Sequence, residues 1–319
     1  MAIIEVRQLI FEYPGLRALD RVSFSLPEHS ITALAGPNGA GKTTLMRCLA
    51  ALERPLAGTI RLGDIDVLEQ PRACHQQVGY LSDFFGLYNE LTVRQCLRFV
   101  AGAYGVEDPP AAIDQALQDL NLEAWQHYRA AELSRGLRQR LGIAQAILHR
   151  PRMLLLDEPA SGLDPQARNE LAGLLVKLKD SGISVMVSSH ILAELSEYST
   201  HMLILERGRV VDFSAIGGGR PEQVELHIRL ARGHENFAGI LSRHSAFSIG
   251  KLDGLDVVGR FQSDETQQAE FLRALIDGGL EISIFEALNE DMQEVYLRII
   301  QGRNTDAPAM HGTAAHGQS

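Results

Sequence analysis

The run Gly36-Pro37-Asn38-Gly39-Ala40-Gly41-Lys42-Thr43-Thr44 fills every position of the phosphate-loop pattern G-x-x-x-x-G-K-[ST]. Glycines at this spacing let the backbone turn sharply and aim consecutive N–H groups inward. That makes an anion-binding nest at the positive end of a helix. A lysine at position 42 neutralises the β- and γ-phosphates of a nucleoside triphosphate, and the Thr43 hydroxyl is placed to ligate Mg²⁺. Further along, the apolar run Met153–Leu156 ends in Asp157 and Glu158. An Asp at a strand's carboxyl end beside such a loop holds the hydration shell of Mg²⁺. A neighbouring Glu that points elsewhere orients or deprotonates an attacking water. Ser188-Ser189-His190 ends the next apolar run. A neutral imidazole there has one N–H to offer a γ-phosphate, or else the cluster is a helix cap. Ser134-Arg135-Gly136 opens a helical segment, where a hydroxyl and free N–H groups make either a second anion site or an ordinary N-cap.

These groups need elements to position them. Ile31–Ala35 is a short continuous apolar run, the pattern of a strand buried on both faces, and Leu45–Leu52 repeats its apolar residues at helical spacing. Strand, Gly-rich loop and helix is the context the loop requires. Ile4 and Val6, then Val22, Phe24 and Leu26, then Ile60 and Leu62 alternate as in an antiparallel sheet beside that core. Between the first two of these strands, Phe11-Glu12-Tyr13-Pro14-Gly15 reads as a turn whose aromatic either stacks on a base or packs locally. Residues 84–150 read as a helical insert, with helices over Leu91–Val100, Ala111–Leu120 and Leu137–His149. Parallel-strand character returns at Met153–Leu156 and Ile183–Val187, separated by an amphipathic helix over Gln166–Lys179, and a last pair of strands covers Met202–Leu205 and Val210–Phe213. Gly217-Gly218-Gly219-Arg220-Pro221 is the sharpest break in composition. It divides a nucleotide-binding domain over 1–216, through a linker over 217–221, from a small α/β domain over 222–302. In that domain Val224–Leu230, Leu255–Phe261 and Leu280–Phe285 read as strands and Glu265–Asp277 as a helix. Asn289 caps a last helix, and 303–319 reads as a disordered tail.

Composition sets limits. The 319 residues are 45% apolar and 22% charged, values of a globular chain long enough for two domains. A net charge of −10 argues against nucleic acid as the partner, because no basic excess exists to neutralise phosphates. Cys48, Cys74 and Cys96 form no metal-binding or redox spacing and read as reduced thiols. The N-terminal residues lack a signal peptide's basic and apolar regions, and no run of 18 apolar residues exists to span a bilayer.

Taken in order, these motifs resemble the nucleotide-binding subunit of ABC transporters, over about residues 3–213. The resemblance implies an α/β P-loop NTPase of ABC type: a mostly parallel core sheet, an antiparallel β subdomain and a helical subdomain. By that resemblance Tyr13 is the aromatic that stacks on adenine, Gly36–Thr43 is the Walker A loop and Met153–Asp157 is Walker B. Glu158 matches the catalytic glutamate, Ser161-Gly162-Leu163-Asp164 the D-loop and His190 the switch histidine. Leu133-Ser134-Arg135-Gly136-Leu137 matches the signature motif L-S-G-G-Q, with Arg135 in place of its first Gly and Leu137 in place of its Gln. In the family this motif closes over ATP bound to the opposite subunit, which implies a head-to-tail homodimer with two shared Mg-ATP sites. At the Q-loop, Gly79-Tyr80-Leu81-Ser82 leads to Asp83 where the family has glutamine. An Asp still reaches Mg²⁺ through oxygen, but it loses the amide donor and adds negative charge.

The two departures and the C-terminal unit, with its ending Leu288–Leu297, resemble the ATPase subunits of type-2 ABC exporters. That implies peripheral attachment at the cytoplasmic side of the membrane to a separately encoded permease, which recognises the cargo. The alternative is a soluble ABC ATPase acting in cofactor or complex assembly. Translation-type members carry two Walker A loops and DNA-maintenance members a long coiled coil, and neither occurs here. A P-loop kinase or GTPase would leave Ser134-Arg135-Gly136 and His190 without a role.

Overall fold

The structure, a computed structural model, describes residues 2–189, 195, 198–216, 224–234, 236–261 and 265–288. His190, the 217–221 segment, the helix expected from Asn289 and the tail from 303 lie outside the described residues. Those described fall into two compact units, one ending at Ile216 and one within 217–291.

The first unit is built on a six-stranded sheet. Its strands are β3 (Ile31–Ala35), β6 (Val78–Leu81), β7 (Met153–Leu156), β8 (Ser184–Ser188), β9 (His201–Glu206) and β10 (Arg209–Ala215), in the order β10-β9-β3-β8-β7-β6. All neighbours run parallel except β10, which returns antiparallel on β9. Alternate residues of these strands feed two different cores, as the period of two requires. Ile31, Ala33, Leu154, Leu156, Val185 and Val187 face the core shared with the helical insert. Leu34, Met153, Leu155, Met186 and Leu203 face the core beneath the antiparallel sheet.

That second sheet, in the order β2-β1-β4-β5, is made of β1 (Ala2–Tyr13), β2 (Leu16–Pro27), β4 (Ala57–Leu62) and β5 (Ile65–Asp66). The first hairpin is longer than the alternation predicts. Phe11–Tyr13 belong to β1, Leu16 already opens β2, and only Pro14-Gly15 forms the turn. Shifts of register near Leu9 and Phe11 break the alternation that would have revealed this.

The helices begin where the sequence supplies caps. After α1 (Lys42–Leu49) and α2 (Pro71–His75), helix α3 (Val93–Tyr104) starts with a capping box: Thr92 Oγ1 accepts from Gln95 N and Gln95 Oε1 accepts from Thr92 N. Helix α4 (Pro109–Asp119) is capped by Asp108 and has proline at its first position. Helix α5 (Arg135–Ile147) starts at its Ser134 cap, and α6 (Pro165–Asp180) is capped by Asp164, whose Oδ1 accepts from Ala167 N at 2.9 Å. His149, just past α5, stacks on Tyr104 of α3 at 4.0 Å and shares a hydrogen bond with the Val78 carbonyl of β6, which ties the helical insert to the sheet. The three cysteines are free and buried. Burial pushes the Cys48 thiol up to about 12 and Cys74 to about 11, so both stay protonated.

The second unit is a four-stranded antiparallel sheet in the order β12-β13-β11-β14, formed by β11 (Val224–Leu230), β12 (Phe247–Asp253), β13 (Asp256–Phe261) and β14 (Ile282–Leu288). Helices α7 (Phe237–Leu241) and α8 (Glu265–Asp277) accompany it, and Phe271 of α8 packs in a core with Phe237, Phe247 and Phe261. Helix α7 and strand β12 are not evident in the sequence, since α7 is one short turn of helix and β12 carries Gly250 and Lys251.

On the central strand of this sheet, His227 sits between two carboxylates, with Nδ1 3.0 Å from Glu286 Oε1 and Nε2 2.9 Å from Asp256 Oδ1. Both ring nitrogens must donate to satisfy both acceptors, so the arrangement favours the imidazolium. Its side chain is only 20% exposed, and hydrogen bonds first to Glu286 and then to Asp256 hold its pKa above the ordinary histidine value. Arg229, 3.8 Å from Asp256 Oδ2, is the competing cation. The folded state binds this proton more tightly than the unfolded chain does. The stabilisation is therefore complete below about pH 6.5 and is lost as pH rises through the folded value. Thermal unfolding of wild type and His227→Gln, compared from pH 5 to pH 9, should show a gap in Tm that is widest at the acid end and narrows above neutrality. A gap independent of pH would show that the imidazolium is not the source.

Candidate functional site

Strand register creates the site. Leu81 pairs with Leu156, Leu156 with Val187 and Leu34 with Ser188, so β6, β7, β8 and β3 end side by side at their carboxyl edges. The residues that follow are Ser82 and Asp83, then Asp157 and Glu158, then Ser189, and the loop from Gly36. Parallel sheets bind their ligands at this edge.

The loop closes on its own lysine. Lys42 Nζ donates to the carbonyls of Gly36 at 2.8 Å and Pro37 at 3.3 Å, and the residue is only 8% exposed. Burial lowers its pKa, and the nearby charges of Glu158 and then Asp157 oppose that shift. The ammonium thus stands largely desolvated among carbonyls, with no salt bridge to a described residue, a setting in which charge-assisted hydrogen bonds to an anion are strong. Gly36 has φ +152°, and a Cβ there would overlap the Leu205 carbonyl oxygen of β9, so only glycine lets the loop leave the sheet at this point. Gly41, also at positive φ, caps α1 with no side chain in the way. The exposed Pro37, Asn38, Gly39 and Thr43 surround the mouth, while Ala40 and Thr44 are buried beneath it.

Tyr13 stands beside this loop. Its ring is 38% exposed and meets Phe11 edge-on at 4.9 Å, and its hydroxyl lies 3.4 Å from Thr44 Oγ1. One ring face is thereby supported next to the helix that begins at Lys42. Asp157 is 3% exposed, and its Oδ1 accepts a 2.6 Å hydrogen bond from Ser188 Oγ. The same hydroxyl accepts from Glu158 N at 2.9 Å, and Glu158 takes a positive φ of 49°. Ser188 is thus the residue that sequence reading placed in the neighbourhood but gave no task. The signal was present in two adjacent apolar strands that both end in polar residues, but only the register joins them.

A cleft of about 540 Å³ is lined by Asp83, Phe84, Phe85, Gly86, Glu158 and Ser161 together with Arg135, Arg138 and Gln139 of α5. A second, of about 420 Å³, gathers Ser134, Arg135 and Gly136 with Gly162, Leu163 and Asp164. No residue of the 36–44 loop lines either one. The Ser134 hydroxyl is engaged as the α5 cap, accepting from Leu137 N at 3.3 Å. Among the described residues no three His, Cys, Asp or Glu side chains converge on a metal position. Mg²⁺ is commonly held by one or two carboxylates plus substrate phosphates rather than by an all-protein cage. Thr43, Asp157 and Asp83 are the groups that would hold it.

Fold and site together define a P-loop nucleotide hydrolase with a helical insert. The comparisons narrow the class. Residues 19–161 match the family model described as ABC transporter. The chain is 32% identical over 225 residues to the probable multidrug ABC transporter ATP-binding protein YbhF of Escherichia coli, covering 70% of this chain but 38% of that protein. It therefore spans well under half the length of that relative. It is 28% identical over 305 residues to the bacitracin transport ATP-binding protein BcrA of Bacillus licheniformis, covering 94% of this chain and 98% of that one. Among solved structures, an ATP-binding subunit of an ABC transporter superposes with a TM-score of 0.61 at 31% identity, covering 67% of this chain and 90% of that one. This chain belongs to the ATP-binding proteins of ABC transporters, a family of ATPases.

Removing the Ser188 hydroxyl leaves the Glu158 N–H without its acceptor and releases Asp157. Groups that orient a site in this way are worth about 10- to 100-fold. Ser188→Ala should lower the ATPase kcat by about that factor, at a cost of about 1–2 kcal/mol in stability. Steady-state phosphate release and chemical denaturation check this, and an unchanged kcat would show that Ser188 only fills space.

Proposed function

We propose that this chain is the motor subunit of an ABC exporter. Two copies associate head to tail around two Mg-ATP, and hydrolysis parts them to drive a separately encoded permease. The observation that supports this reading is that Ser134 and Gly136 stand in a cleft with Gly162, Leu163 and Asp164, while the buried Lys42 of the 36–44 loop offers its ammonium from a different helix start. A γ-phosphate at Lys42 then receives its second set of donors from another copy of the chain.

Within one site, Lys42 and the loop N–H groups hold the β- and γ-phosphates, and the Tyr13 ring stacks on the adenine. Thr43, Asp157 and Asp83 would hold Mg²⁺, which would offset charge on the phosphate oxygens. Glu158, turned away from Asp157 by its left-handed backbone, orients a water for in-line attack and takes its proton. The bond from the γ-phosphorus to the bridging oxygen breaks, leaving ADP and inorganic phosphate. His190 donates its N–H to the γ-phosphate, and Asp164, at the head of α6, lines the approach of the other copy. Loss of the γ-phosphate removes the only group that both copies grip.

The relatives support the transport reading, as one is described as a probable multidrug transporter protein and another as a bacitracin transport protein. Phe84, next to Asp83 at the rim of the larger cleft, is 92% exposed, an apolar surface suited to a permease partner. Among the described residues no helix is long and apolar enough to cross a membrane. The proposal therefore places the chain peripherally, on the cytoplasmic side.

Glu158→Gln should reduce phosphate release by about 10²-fold or more and accumulate as an ATP-bound dimer in size exclusion with light scattering. Purified with ATP from detergent-solubilised membranes, it should bring down one multi-helix membrane protein in fixed ratio. A variant that stays monomeric at saturating ATP overturns the dimer. Recovery with soluble partners alone would favour an assembly ATPase. Lys42→Ala should weaken ATP binding about 100-fold or more in a fluorescent-nucleotide titration, and an unaltered affinity would refute the phosphate site.

A further inference from the structure

The 36–44 loop rests at both ends on one hairpin that carries none of the nucleotide motifs. At its start, a Cβ on Gly36 would overlap the Leu205 carbonyl oxygen of β9. At its end, Ala40 O accepts from Gly208 N at 3.0 Å, and a Cβ on Gly41 would lie 2.6 Å from Ala18 O of β2. Gly208 belongs to the two-residue turn between β9 and β10, with φ +48° at Arg207 and +73° at Gly208. Two positive φ angles in such a loop mark a type I′ turn, a sparsely populated backbone for arginine that its surroundings must hold. Asp20 of β2 supplies the hold. Its N–H donates to Gly208 O at 2.8 Å, and its Oδ2 accepts from Arg209 Nε at 2.8 Å and Nη2 at 2.5 Å. Arg17 adds a weaker bond to Oδ1 at 3.3 Å. The Asp20 side chain is 13% exposed, and the bonds from Arg209 hold its carboxyl below the ordinary carboxylate range. Arg209 itself is 69% exposed, so the pair adds little to stability, and its value lies in the geometry it fixes. In a trans peptide the carbonyl and the following N–H point in opposite directions. The bond from Gly208 to the Ala40 carbonyl therefore sends the Gly41 N–H away from the turn.

We propose that the β9–β10 turn aims the Gly41 N–H as a phosphate donor, and that Asp20 and Arg209 are the positioning residues that hold the turn against β2. This rests on the reading of the 36–44 loop as the phosphate site. Without the bond to Gly208, the same peptide can rotate its carbonyl oxygen toward the anion, replacing a donor with an acceptor. Backbone N–H groups of such a loop cradle the α- and β-phosphates, which ATP and ADP share. The turn therefore supports both nucleotides equally, and it does so in the ground state as well as in the transition state.

The test is a fluorescent-nucleotide titration of the full-length chain with Mg-ATP and with Mg-ADP, run well below the melting temperature of every variant. Asp20→Asn and Arg209→Gln should each raise both dissociation constants about threefold to fivefold. Combining them should add nothing further, because each breaks the same link. Arg209→Lys, which keeps the charge but not the two converging donors, should recover part of the loss. In steady-state turnover the loss should appear in KM rather than kcat, the mark of binding shared by ground and transition states. A lower Tm with unchanged affinity for both nucleotides would overturn the assignment and show the pair to be structural only. Lys42→Ala in the same titration separates the two readings. A loss in Lys42→Ala beside unaffected Asp20 and Arg209 variants overturns this assignment alone, whereas unchanged affinity in Lys42→Ala overturns the phosphate site, and this assignment with it.

Discussion

Lys42 imposes the constraint on which the rest of the first unit depends. Its ammonium lies nearly out of water, with two backbone carbonyls for company. Carbonyl dipoles offset part of the cost of desolvation but do not cancel a full charge. The loop therefore rests in a state that an anion improves. The sheet, the α1 helix and the glycine at the strand exit all serve to keep the ammonium where it is. A side chain at Gly36 would push the loop off β9, and a less regular register would separate Lys42 from the strand end that carries Asp157 and Glu158. The two carboxylates are close enough to oppose the burial shift on Lys42. A polyanion placed over Lys42 would thus also lie close to Asp157 and Glu158.

What could be read from the sequence follows from how local the signal is. The phosphate loop, the capped starts of α3 to α6 and the apolar core strands are each written within about ten residues, and the structure has them within a residue or two. Strand β6 was hidden because Val78-Gly79-Tyr80-Leu81 is too short and mixed to stand out, although it forms the edge from which Asp83 leaves. The double duty of Ser188 was hidden for a different reason. Its partners lie 30 and 31 residues away, and only the pairing of β7 with β8 brings them together. In the second unit the sequence revealed the strands with alternating residues and passed over β12, whose pattern Gly250 and Lys251 interrupt.

Two of the three positions that depart from the family's usual residues fall in one place. Asp83 adds a negative charge at the Q-loop and Arg135 a positive one at the signature motif, and both line the cleft that also holds Glu158 and Arg138. Two opposite charges sharing a partly enclosed cleft attract through a lower dielectric than water's, so neither departure is best judged by itself. Asp83, after β6, and Arg135, at the start of α5, bring opposite charges to one cleft.

On the head-to-tail reading proposed above, a division of labour between Lys42 and Ser134 would explain how hydrolysis moves a partner. A ligand shifts an equilibrium between two arrangements only by as much as it binds one better than the other. In that reading, groups on the 36–44 loop would hold the β-phosphate in ATP and ADP alike, and so would supply affinity without a preference between joined and parted copies. Ser134 and Gly136 line a cleft to which that loop contributes no residue, and in the proposed dimer they would meet the terminal phosphate held by the other copy. Cleaving one bond would then remove the contacts that discriminate and keep those that do not. Each copy would be left with ADP in place and no group bridging it to the other.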